Sequence, residues 1–101
     1  MGLNLTTKRE DKSIIVALDG ELNTMTAPEL KDLLEASVPV TDSLCLDFTS
    51  CDFVSSAGLR VLLNAFKSMQ AKNGTMEFMN IGPVFAEVLE ITGLDGVFKI
   101  K

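Results

Sequence analysis

The stretch that most restricts how this chain can fold runs from Leu44 to Leu63. Leu44 to Phe48 is an apolar, strand-like run; it passes into a polar loop, and from Ser55-Ser56 onward apolar residues recur at helical spacing. A short strand feeding an amphipathic helix within a few residues is one half of a crossover that joins parallel strands. The junction also places two hydroxyls where a helix begins. The first turn of a helix carries N–H groups without intrahelical partners and the positive end of the dipole, so it accommodates an anion such as phosphate.

The rest of the chain extends the same alternation. Leu3 to Lys8 suits an edge strand, Asp11-Lys12 a turn, and Ser13 to Leu18 a β-branched strand buried on both faces. Asp19-Gly20 breaks that strand, and Glu21-Leu22-Asn23 leads into a loop. Thr26-Ala27-Pro28-Glu29 predicts a helix start, with Thr26 as N-cap and Glu29 closing a capping box. Leu30, Leu33 and Leu34 form its buried stripe, Lys31, Asp32 and Glu35 face water, and Pro39 ends it. The second helix buries Leu59, Leu62, Leu63, Phe66 and Met69, exposes Arg60, Asn64 and Lys67, and stops at Asn73-Gly74. Thr75 to Met79 is a fourth strand. Gly82-Pro83 opens a third helix carrying Val84, Phe85, Val88 and Leu89, closed by Gly93; Val97 to Ile100 is a last short strand or packs on the sheet. The expected fold is α/β, one domain over residues 1–101, with a mixed four- to five-stranded sheet and helices packed on it.

Composition removes several chemistries. The chain has no histidine, which excludes a Ser-His-Asp triad, a Cys-His pair and any His-containing metal site; no metal or cofactor is expected. A net charge of −5 with scattered basic residues argues against nucleic acid. The two cysteines, Cys45 in the apolar strand and Cys51 in the loop, fit neither a CxxC motif nor a disulfide framework. They are expected to be a buried small hydrophobe and an ordinary loop thiol, respectively. No apolar run approaches the ~18 to 20 residues that span a bilayer, and Met1-Gly2 does not open a secretory or myristoylation signal, so a cytoplasmic setting is expected.

Between Phe53 and Val61 the glycines and lysine of a dinucleotide or phosphate loop are missing. A GxSxG elbow fails because Val54 stands two residues before Ser56. Two readings of the serines remain on the residues alone. One of them caps the helix, worth about 1 kcal/mol, with Gly58 allowing close packing; or one of them accepts a phosphate.

Asp52-Phe53-Val54-Ser55-Ser56-Ala57-Gly58-Leu59-Arg60-Val61-Leu62-Leu63 resembles the signature of the STAS domain family, in particular its stand-alone anti-sigma factor antagonists. Gly20-Glu21-Leu22-Asn23 with Thr26-Ala27 is similar to a second family segment, as is the Gly93-Leu94 turn, so the resemblance covers nearly the whole chain. It implies a STAS fold and a partner-switching function. A serine kinase that is also the anti-sigma factor phosphorylates the helix-start serine, and a metal-dependent serine phosphatase reverses this. The unphosphorylated antagonist binds the kinase and frees a sigma factor.

By motif alignment Ser56 matches the phosphoacceptor, Ala57 the place of a second Ser or Thr, and Gly58 the motif glycine. Some members carry aspartate where this chain has Ser55 and Asn23; the exchange lessens repulsion of an incoming phosphate, removes carboxylates a kinase could read, and leaves Ser55 as second choice of acceptor. The implied partner-binding surface comprises Asn23, Thr24, Ser55, Ala57, Gly58 and Arg60 on a monomer or weak dimer. The alternative under the same resemblance is a non-enzymatic STAS binding subunit of another assembly, such as a lipid-transport ATPase or a stressosome-like scaffold. A small enzyme or nucleotide-binding module is the alternative of another class.

Overall fold

A computed structural model describes residues 2–100 of the chain. Strands β1 (Leu3–Glu10) and β2 (Ser13–Gly20) form an antiparallel hairpin. Its turn puts Asp11 at φ 51°, a left-handed conformation that aspartate tolerates. There follow α1 (Ala27–Ser37), β3 (Ser43–Ser50), α2 (Ser56–Ala71), β4 (Thr75–Met79), α3 (Pro83–Thr92) and β5 (Lys99–Ile100). The sheet order is β1-β2-β3-β4-β5, and β2 through β5 run parallel.

Each crossover joins a strand to its immediate neighbour in the same direction. Right-handed connections of that kind lay all three helices on one face of the sheet. Burial follows: Ile14, Val16 and Leu18 of β2, Leu44, Leu46 and Phe48 of β3, and Met76 and Phe78 of β4 are buried, whereas Ile15, Ala17, Cys45 and Met79 between them are only half-buried. The expectation that β2 is buried on both faces is therefore corrected. Its β-branched run is covered on one side, because nothing among the described residues packs on the other.

An aromatic cluster fills the core beneath α3. The ring of Phe48 lies 4.9 Å from that of Phe85 and 5.4 Å from that of Phe78, and Phe78 lies 4.5 Å from Phe98. Such contacts add about 0.5–1.5 kcal/mol per pair beyond the area they bury. Phe98 is buried just before β5, whose two residues pair with β4, so both expected uses of the C-terminal apolar residues occur together.

Helix α2 buries Gly58, Leu62, Ala65 and Met69, while Leu59, Leu63 and Phe66 are partly covered. The inner line is thus centred on small residues as well as large ones. Asn73, at φ 61°, takes the left-handed position after the helix, and the Gly74 N–H donates to the Met69 carbonyl at 2.8 Å.

Candidate functional site

The loops after β2, β3 and β4 leave the sheet at the same edge, where α1, α2 and α3 begin. Two of these loops are joined. The Leu22 N–H donates to the Phe53 carbonyl at 3.0 Å, the Ser55 N–H donates to the Leu22 carbonyl at 2.8 Å, and Leu22 pairs with Val54 as a parallel bridge. This holds the Glu21–Thr24 segment, with Asn23 and Thr24, beside Ser55 and the start of α2.

Ser55 is the N-cap of α2. Its backbone is extended, at φ −81° and ψ 172°, and its hydroxyl accepts the Gly58 N–H at 3.2 Å. Ser56 is the first helical residue, exposed, and its hydroxyl has no hydrogen bond to another described residue. Gly58 is buried against Leu22. Arg60 lies one turn after Ser56, exposed and without an ion pair among the described residues. Helical side chains lean toward the N-terminus, so the guanidinium shares the face that Ser56 presents. The two serines have separated roles: one is a cap, the other is free.

The capping box expected at Thr26 and Glu29 is absent. Thr26 is buried, its hydroxyl donates to the Glu21 carbonyl at 2.7 Å and accepts the Asn23 N–H at 2.9 Å, and it makes no side-chain cap bond to the helix. Asn23 caps the segment instead. Its Oδ1 accepts the N–H groups of Met25 at 2.9 Å and Thr26 at 3.0 Å, and its carbonyl accepts that of Ala27 at 2.8 Å. An Asx turn of this kind begins three residues earlier than a Thr cap, which leaves Thr24 and Met25 exposed at its tip.

Asp52 links the serine loop to α3. Its Oδ1 accepts the Phe85 N–H at 3.3 Å, and its side chain packs over the Cα of Gly82. Asp47, at the end of β3, accepts the Thr49 hydroxyl at 2.6 Å and the Asn80 amide at 3.0 Å. The Thr49 hydroxyl lowers the Asp47 pKa against the opposing effect of burial, with further lowering from Asn80 and the Thr49 N–H.

The two thiols reverse their expected places. Cys51, in the loop, is 1% exposed and its thiol donates to the Phe53 carbonyl at 3.6 Å, whereas Cys45 is half-buried on the uncovered sheet face. Burial pushes the Cys51 thiol pKa up, and the carboxylates of Asp52 and Glu21 add to the rise.

Three large apolar side chains frame the site, none singled out by the sequence as a surface residue: Met25 is 84% exposed, Phe53 47% and Val84 51%. Their signal was there to read, since each follows a polar or turn residue at the start of a loop or helix. No group of His, Cys, Asp and Glu among the described residues could hold a metal. A groove of about 360 Å³ between α1 and α2, lined by Leu34, Val38 and Val61 among others, shares none of the serine-loop residues. No helix among the described residues is long and apolar enough to cross a membrane.

The STAS domain family model matches residues 4–101. The chain belongs to the STAS domain family. It is 30% identical over 103 residues to an anti-sigma-B factor antagonist of Listeria monocytogenes, covering all of this chain and 90% of that protein. It is 28% identical over 106 residues to the anti-sigma-B factor antagonist of Bacillus subtilis, covering all of this chain and 93% of the other. Among solved structures, an anti-sigma factor antagonist from Mycobacterium paratuberculosis superposes with a TM-score of 0.86 at 25% identity, covering 97% of this chain and 84% of that one. The mixed five-stranded sheet with three helices is the STAS fold. In this STAS protein the edge of the sheet that carries Asn23, Ser55, Ser56 and Arg60 is also the edge where all three helices start.

Proposed function

We propose that this single STAS domain is an anti-sigma factor antagonist whose partner is chosen by phosphorylation of Ser56. Unphosphorylated, it binds an anti-sigma factor that is also a serine kinase, and so frees a sigma factor; a metal-dependent serine phosphatase restores it after phosphorylation. The observation that carries the reading is the exposed, unbonded hydroxyl of Ser56 at the first position of α2, next to a serine whose hydroxyl is already used as the cap. The names of the relatives support the same function.

The physics of the switch is local. A phosphate brings about −1.5 to −2 charges at pH 7 to a helix start that favours anions, one turn before Arg60. The fold therefore tolerates it. A docked partner surface does not, because it must desolvate or repel a dianion, and each 1.4 kcal/mol of that cost is about tenfold in affinity. Met25, Phe53 and the exposed rim of Asn23 and Thr24 supply the contact area around it.

Site-resolved mass spectrometry after incubation with host lysate and Mg-ATP, beside a Ser56→Ala control, tests the assignment. Phosphate on Ser56 that is absent from the control is expected. Phosphate on Ser55 would keep the switch and move the acceptor. No phosphate, in a lysate that phosphorylates a known substrate, would overturn the switch in favour of a constitutive binding subunit.

A further inference from the structure

Helix α3 is apolar on two sides. Phe85 and Leu89 are fully buried in the core. Val84, Val88 and Ile91, spaced by four and three residues, form a second strip about a third of a turn away around the axis. Val84 is 51% exposed, Ile91 76%, and Val88 half-buried. Single exposed apolar residues are ordinary; three in helical register are the pattern of a helix face that packs on something.

Two observations say what covers it. The strip is continuous with the serine site: it starts at Val84, whose neighbour Phe85 donates its N–H to Asp52, and Asp52 adjoins the exposed Phe53, whose carbonyl holds Leu22. Its charge is of one sign. From Pro83 to Thr92 the helix has no Lys or Arg, and its charged residues are the exposed Glu87 and Glu90. With Glu21 exposed at the loop, the strip and the loop beside it offer apolar contacts bordered by carboxylates, while the cation Arg60 stands at the Ser56 end.

We infer that the α3 strip is the second half of the docking surface for the kinase that phosphorylates Ser56, and that this partner presents an apolar groove edged with Lys and Arg. The inference rests on the partner-switching reading and adds where the affinity resides. Val84 and Phe53 lie at the phosphate end, Ile91 at the far end. The phosphate then acts on one end of a longer contact, and the strip sets how tightly and which kinase is held.

The test uses the purified kinase that phosphorylates Ser56, titrated calorimetrically with Mg-ADP so that no phosphate is transferred. Val84→Ser and Ile91→Ser are each expected to weaken binding about tenfold, as interface anchors do, with the melting temperature unchanged. Lys31→Ala on α1 serves as an off-surface control, and Ser56→Asp reports on the switch itself. If both strip variants bind within about twofold of wild type while Ser56→Asp is weakened, the inference is overturned and the switch stands. If Ser56→Asp binds as tightly as wild type, the partner-switching reading falls first. If the strip variants leave kinase binding intact but dissociate a dimer in sedimentation equilibrium, the occupant is a second copy and the inference is overturned. A host with no kinase for Ser56 overturns both.

Discussion

The Cα of Gly58 sits so close to Leu22 that a methyl group on it would lie 2.6 Å from Leu22 Cγ and 3.1 Å from the Leu22 carbonyl oxygen. Leu22 is fully buried, and its carbonyl is held by the Ser55 N–H, so neither atom can retreat without opening the joint between the two loops. The glycine of the serine motif is therefore a packing requirement. It allows the start of α2 to rest against the Glu21–Thr24 loop, and that contact aligns Asn23 with Ser56.

Gly58→Ala should lower the melting temperature, by an amount equivalent to as much as about 2 kcal/mol. Ala would gain about 1 kcal/mol in helix propensity, but overpacking a fixed neighbour costs more, typically about 1–3 kcal/mol. A variant that melts above the wild type would show that Leu22 yields easily and that the joint is soft.

The two serines should separate in thermal melts. Ser55→Ala removes the acceptor of the Gly58 N–H and should cost about 1 kcal/mol, as loss of an N-cap does. Ser56→Ala removes an exposed hydroxyl and should stay within about 0.5 kcal/mol of wild type. Equal losses would contradict the assignment of one serine to the cap.

Asp52 and Gly82 should behave as a coupled pair. An alanine at 82 would place its methyl 2.6 Å from Asp52 Cγ and expel the carboxylate from the N-terminus of α3. Gly82→Ala is thus expected to destabilise the wild type and to cost much less in an Asp52→Ala background. The coupling in a double-mutant cycle should fall within about 0.5–3 kcal/mol; a value of zero would mean that the side chain does not occupy the space above Gly82.

The thiols should react in the opposite order to the one their segments suggest. Under native conditions at pH 8 a disulfide reagent should label Cys45 first, and Cys51 only on opening of the domain. The same burial fixes the sign of an alkaline effect. Because the folded Cys51 thiol ionises above its ordinary value of 9.0, the unfolded chain loses its proton first, and stability should fall as pH rises beyond that value. Cys51→Ala should remove that part of the loss in melts between about pH 8 and 10.5, a range that brackets the ordinary thiol value.

Much of the architecture was legible because each element carries its own period. The alternation of β-branched runs with Leu30, Leu33 and Leu34, or with Leu59, Leu62 and Phe66, specified strands and helices in the right order. The serine motif located the start of α2. What escaped depends on contacts between segments distant in the chain. Thr26 looks like a cap by spacing to Glu29, but the loop's joint with Phe53 commits its hydroxyl to the Glu21 carbonyl, and the amide of Asn23 takes over. Cys51 is buried because the loop folds back under Phe53. Cys45 follows strand parity: between the inward Leu44 and Leu46 it must face the other side. The role of Asp52 at α3 had no local sign, since its partner, the Phe85 N–H, lies 33 residues away.

The strands lie in the sheet in the order in which they occur in the chain. Each new strand needs only the edge left by the one before it, so pairing can proceed from the hairpin outward without a loop threading back. Contacts that close in sequence order keep loop-closure entropy low for an α/β chain and favour fast folding. The two residues of β5 are then the last to be added and the least cooperative part of the sheet, and the edge they cover is the one the domain can most readily uncover.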